Sequence, residues 1–107
     1  MARLIGSWNG KNYQIQLSGS QILGIESSKS DPDLPIPSNI ISRTHGEFFT
    51  DEKFTWYRDL GSSNGTSLNG RMLEKEEAVC LKNGDVLSVH AKGDASNASD
   101  VTFRYIR

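Results

Sequence analysis

The chain has 107 residues, 36% hydrophobic and 23% charged, with a formal net charge of −1. That is one domain's worth of chain, able to bury a single core. The balance of charge argues against nonspecific nucleic-acid or membrane-surface binding, both of which draw on a concentrated basic face, while leaving room for a specific anion site built on one or two arginines. No stretch approaches the roughly 20 apolar residues of a spanning helix. The opening Met1-Ala2-Arg3-Leu4-Ile5 runs into a strand-like pattern, without the layout of a signal peptide. Cys80 is the sole cysteine and has no internal disulfide partner, which agrees with a reducing compartment. The expectation is a cytoplasmic monomer.

Apolar alternation with period two dominates the chain, the signature of strands. Leu4 to Trp8, the pair Asn9-Gly10, then Tyr13, Ile15 and Leu17 on alternate positions predict an opening hairpin with a tight primed turn. Ile22 to Ile25 predicts a third strand. The run Glu26 to Asp33 is polar and serine-rich and reads as an exposed loop. The prolines around Leu34-Pro35-Ile36-Pro37 restrict that piece to an edge strand or an extended link. Thr44 to Phe49 and Phe54 to Leu60 predict a hairpin joined by Thr50-Asp51-Glu52-Lys53. A shorter hairpin follows, turning at Asn69-Gly70.

Ala78 to Leu81 and Val86 to His90 flank a turn at Lys82-Asn83-Gly84-Asp85. After the small polar loop Ala91 to Asp100, Val101 to Ile106 closes the chain as a strand. The helix-like stretch Arg71 to Val79 has neither a good cap nor an apolar face and is set aside. The run Glu74-Lys75-Glu76-Glu77 within it reads as a solvated loop. About ten short strands separated by turns imply an all-β sandwich. Trp8, Trp56, Phe48, Phe54 and Phe103 are expected in the core or on half-buried sheet surface, with Cys80 as packing.

Two polar, glycine-containing clusters lie between strands, where binding groups usually sit. One is Ser42-Arg43-Thr44-His45-Gly46; the other is Asp59-Leu60-Gly61-Ser62-Ser63-Asn64-Gly65-Thr66. An arginine offers a planar fork to two phosphate oxygens at once. Serine hydroxyls donate short hydrogen bonds, and an asparagine amide can both donate to and accept from a peptide backbone. Together these are the parts of a phosphopeptide clamp, although Ser, Asn and Gly are also what turns demand.

A hydrolase is disfavoured. Ser42 and His45 are three apart on one loop, Asp59 is on another, and no nucleophile elbow is present. Two histidines and one cysteine without clustered carboxylates make no metal site. There is no phosphate loop of the nucleotide-binding kind, so neither a catalytic residue nor a cofactor is expected.

The first cluster, extended to Ile41 and Phe48, resembles the Ser-Arg-x-His motif of forkhead-associated (FHA) domains. The second, continued to Asn69-Gly70, resembles that family's Asn-Gly-Thr block, and Lys82-Asn83-Gly84-Asp85-Val86-Leu87 its Gly-Asp turn. The order of elements is similar from about residue 3 to residue 106, as one domain over 1–107.

The resemblance implies a β-sandwich of about eleven mostly antiparallel strands whose loops, at one end, bind proteins carrying phosphothreonine. By position it assigns Ser42 and Arg43 to the phosphate, by direct contact or by shaping its loop, Ser63 to the place beside the phosphothreonine and Asn64 to the peptide main chain. It assigns Gly24, His45, Gly65, Thr66 and Asn69 to shaping the loops. One departure stands out: the family's third strand ends in Gly-Arg, with the arginine on the phosphate, and here the pair is Gly24-Ile25. Lys29 in the following loop is the nearest substitute cation. Two readings therefore stand: a phosphothreonine-dependent module, or a degenerate one that docks partners without phosphate.

Overall fold

The structure is a computed structural model that describes residues 2–91 and 101–107. Strand β1 (Arg3–Trp8) turns at Asn9 and Gly10, whose φ angles of 53° and 74° are those of a primed turn, into β2 (Lys11–Gln16). The other strands are β3 (Gly19–Ile25), β4 (Leu34–Ile36), β5 (Gly46–Thr50), β6 (Thr55–Asp59), β7 (Ser67–Leu68), β8 (Arg71–Met72), β9 (Val79–Cys80), β10 (Val86–Val89) and β11 (Val101–Ile106). No helix occurs among the described residues. The stretch from Arg71 to Val79 instead holds β8 and a chain that runs beside Asp59, where Glu76 N–H donates to the Asp59 carbonyl at 2.8 Å. The run at Glu74 to Glu77 is thus tied to the sandwich.

The strands form two sheets: six in the order β2-β1-β11-β10-β7-β8, and five in the order β4-β3-β5-β6-β9. The pairs are antiparallel except β3 with β4. β4 lies at a sheet edge, where Pro35, which cannot donate to a ladder, points outward while Leu34 and Ile36 are buried. The core fills the space between the sheets. Alternation places Leu4 and Trp8 of β1 and Val101, Phe103 and Tyr105 of β11 against Leu23, Phe48 and Tyr57 of the other sheet. Ile40 and Ile41, from the β4–β5 connection, are buried as well.

The aromatic residues divide differently from expectation. Trp8, Phe48 and Phe103 are in the core, but Trp56 is 42% exposed and Phe54 51%. The pleat explains Trp56: Phe48 pairs with Tyr57 facing inward, so the next pair, Phe49 with Trp56, must face out. Phe54 lies just before β6, where no neighbouring layer covers it. Tyr13 is also half out of the sandwich, stacked on Trp8 with ring centroids 4.3 Å apart. Cys80 is partly buried. The loop from Ala91 to Asp100 lies outside the described residues from Lys92 onward.

Candidate functional site

The end of β3 and the loops that flank β5 and β6 meet at one end of the five-stranded sheet. Ile25 N–H donates to the Ser42 carbonyl at 3.0 Å, and His45 N–H to the Leu23 carbonyl at 2.8 Å, so the Ser42–His45 loop lies directly on β3. Gly24 makes that approach possible. A Cβ there would sit 2.0 Å from the Arg43 carbonyl oxygen, a backbone atom with nowhere to go.

His45 is fully buried and joins the two clusters. Its Nδ1 accepts the Ser42 N–H at 3.1 Å, so the ring proton must be on Nε2, which donates to the Gly65 carbonyl at 3.1 Å. Burial lowers the His45 pKa below the usual 6.5, against the opposing pull of Asp59, whose carboxylate lies 3.7 Å away. A neutral imidazole with both nitrogens committed to loop backbone is a brace rather than a base.

Asp59 organises the second loop. One carboxylate oxygen accepts the N–H groups of Gly61 and Ser62, each at 2.8 Å; the other accepts the hydroxyls of Ser62 and Thr66, at 2.5 and 2.9 Å. Burial raises its pKa, yet these donors outweigh burial and hold it below the ordinary carboxylate value. Because Thr66 donates to Asp59, the buried Tyr57 hydroxyl, 2.8 Å from it, must donate to Thr66. The Ser62 oxygen also accepts the Gly65 N–H, and Gly65 turns at φ +73°. The sequence places Asp59 at the head of the second cluster and among the residue types of a hydrolase triad without giving it a role of its own; its place at the end of a strand, just ahead of Gly61-Ser62, is the signal for a carboxylate capping a turn.

The two loops are bonded to each other at their outer rim. Ser63 N–H donates to Ser42 Oγ at 3.0 Å, and the Asn64 side-chain amide donates to the Ile40 carbonyl at 2.8 Å. Between them lies a concavity of about 450 Å³ lined by Ile25, Asn39, Ile40, Ile41, Ser42, Arg43, Ser63 and Asn64. Arg43 is exposed and is the one charged residue in that lining. Its guanidinium has no partner among the described residues, and neither hydroxyl hydrogen, on Ser42 or Ser63, is donated to an acceptor there. The pocket therefore gathers hydrogen-bond donors around a lone cation and no carboxylate, which is the chemistry of an anion site.

Ser42, Arg43, Ser63 and Asn64 are thus brought together, with Ile25 beside them. Lys29 is not. It lies in the turn bridged by Ser27 and Ser30, its N–H on Ser27 Oγ, and is outside the pocket lining. Asn69 is also elsewhere: its amide joins the β7–β8 turn to Asp85 and Val86, shaping a neighbouring turn rather than the pocket. A second concavity of about 400 Å³ opens at the other end of the strands, but its arginine, Arg107, is held by Tyr105, Thr55 and the Asp51 carbonyl, with Asp51 and Glu52 also in its lining.

A two-sheet sandwich with a donor-lined pocket on interlocked loops suits a protein-interaction module. The chain belongs to the FHA domain family, whose profile matches residues 10–90; that family is one of phosphopeptide-binding modules. Among curated proteins, the E3 ubiquitin-protein ligase DMA2 of Saccharomyces cerevisiae is 33% identical in an alignment 75 residues long that covers 65% of this chain and 14% of that protein. The chain thus spans only a small part of the length of that relative. Among solved structures, the FhaA FHA domain, complexed with the intracellular domain of Rv3910, is 27% identical with a TM-score of 0.69, over 97% of this chain and 100% of that one. The N-terminal FHA domain of S. cerevisiae Rad53p, in complex with a phosphothreonine peptide, has a TM-score of 0.76 over 98% of this chain and 91% of that one; at 21% identity the likeness is one of fold.

Proposed function

We propose that this chain is a phosphothreonine-dependent peptide-binding module. The observation that supports this best is the pocket in which the Arg43 guanidinium and the hydroxyl hydrogens of Ser42 and Ser63 have no partner among the described residues, while His45 beneath them is tied into the loops through both ring nitrogens. Arg43 would meet the phosphate with its fork, the serine hydroxyls would donate to remaining phosphate oxygens, and Asn64 would hold the peptide backbone beside them. The Rad53p domain, which binds a phosphothreonine peptide, adds support by family membership.

Ile25 in the pocket favours a competing reading, phosphate-independent docking, because it puts an apolar group where the family's arginine is expected. A charge-assisted hydrogen bond contributes about 1.5–3 kcal/mol, so its absence weakens phosphate binding roughly 10- to 100-fold. The deciding experiment is an anisotropy titration with a degenerate phosphothreonine peptide library and its unphosphorylated twin. Binding that requires the phosphate supports the first reading; equal binding to both sinks it.

A further inference from the structure

The anion pocket has an apolar flank. Ile25 and Ile40 line the same concavity as Ser42 and Arg43. Ile25 is held there by its backbone, through the 3.0 Å hydrogen bond from its N–H to the Ser42 carbonyl, and its side chain is half-buried, partly packed on the core. The loop leaving Ile25 carries the carboxylates of Glu26, Asp31 and Asp33 against the single cation of Lys29. Asp33 is tied to the Ile22 N–H at 2.8 Å, while Glu26 and Asp31 are exposed. This flank therefore offers methyl groups, and the chain that continues from it is net acidic.

Isoleucine cannot hydrogen-bond a phosphate, and leaving it against phosphate oxygens would desolvate them without compensation. An apolar ligand side chain laid on Ile25 and Ile40 has the opposite effect. It buries hydrocarbon on both sides and excludes water from the edge of the Arg43–phosphate contact, which strengthens that contact by lowering the dielectric around it. A site reduced to one cation gains most from such a cover.

We infer that Ile25 is a specificity-determining residue, and that the partner segment carries an aliphatic or aromatic residue, not an acidic one, next to its phosphothreonine on the Ile25 side. This rests on the phosphothreonine reading above. The test uses phosphothreonine peptides in which each flanking position in turn is Leu, Ala, Lys or Glu, titrated by anisotropy onto the full chain and onto Ile25→Ser. Partial burial of one aliphatic side chain is worth roughly three- to tenfold in affinity. One flanking position should therefore favour Leu over Ala by about that factor and disfavour Glu. In Ile25→Ser the Leu advantage should vanish while the need for phosphate remains. Ile25→Thr, closer in shape, gives the same readout if the serine variant does not fold. A flat profile, or a Leu preference that survives both substitutions, with phosphate still required, overturns this inference and leaves the phosphothreonine reading standing. Equal binding of unphosphorylated twins overturns both.

Discussion

Replacing Asp59 by asparagine should destabilise the fold far more than an isosteric change usually does. The carboxylate takes four donors while almost wholly buried. Asparagine keeps an oxygen for the N–H groups of Gly61 and Ser62 but turns the other oxygen into an amide donor. That donor would point at the hydroxyl hydrogens of Ser62 and Thr66, and near Nε2 of His45. The hydroxyls can rotate, yet the Ser62 oxygen already accepts the Gly65 N–H and the Thr66 oxygen already meets the Tyr57 hydroxyl.

Two charge-assisted hydrogen bonds are lost, at about 1.5–3 kcal/mol each taken singly. The pair shares one group and is not additive, so the expected loss is about 2–4 kcal/mol, or roughly 10–20 °C in Tm for a domain of this size. Thermal unfolding followed by circular dichroism at pH 7 measures it. The carboxylate pKa is depressed in the fold, so its contribution is present above the ordinary value of 3.8 and lost as pH falls through the lower folded value. The gap between the two proteins should accordingly close in strong acid. A fall in Tm of less than about 3 °C at pH 7, or a gap unchanged in acid, would refute the role given to Asp59.

Arg43→Ala should reduce phosphopeptide affinity by roughly 10-fold or more with Tm nearly unchanged, since the guanidinium holds nothing else among the described residues; unchanged affinity in the same titration removes Arg43 from the site. Ile25→Arg should raise phosphothreonine-peptide affinity by up to roughly tenfold and erase any apolar preference; a soluble, folded variant with no gain would mean that position 25 does not reach the phosphate. Gly24→Ala drives a methyl into the Arg43 carbonyl, so it should destabilise by about 1–3 kcal/mol and displace the Ser42–Arg43 loop, seen as lost binding in the fraction that remains folded. The folded His45 pKa lies below the unfolded value of 6.5, so the unfolded chain takes up the proton first. Stability should decline as pH falls below 6.5, and His45→Gln should flatten that slope in urea titrations at several pH values; a slope unaltered in the variant would place the titration elsewhere.

Much of the sandwich was legible because its cues are local. Asn9-Gly10 and Asn69-Gly70 announce turns that only positive φ permits, and Pro35 marks β4 as an edge. That the Ser42 and Ser63 clusters converge follows from the resemblance, since nothing in their spacing, 21 residues apart, says that one hydroxyl will accept the other's N–H. What escaped the sequence depends on partners distant in the chain. Phe48, Phe49, Trp56 and Tyr57 are aromatic on both faces of a hairpin, so alternation could not say which pair faces the core. Asp59 looks like any polar loop residue until its donors are in place. Lys29 was placed by proximity in sequence, and the Ser27–Ser30 turn carries it elsewhere.

The brace formed by His45 and Asp59 closes on groups of the chain itself. Its donors and acceptors come from Ser42, Gly61, Ser62, Gly65 and Thr66, and none of its bonds passes through the guanidinium of Arg43 or the side chain of Ile25. The side chains of Arg43 and Ile25 are therefore separable from the groups that hold the loops in shape, whereas Ser42 and Asn64 are bonded into those loops as well as lining the pocket. Mutation at Arg43 or Ile25 can retune what is bound, generation after generation, without reopening the question of whether the loops assemble.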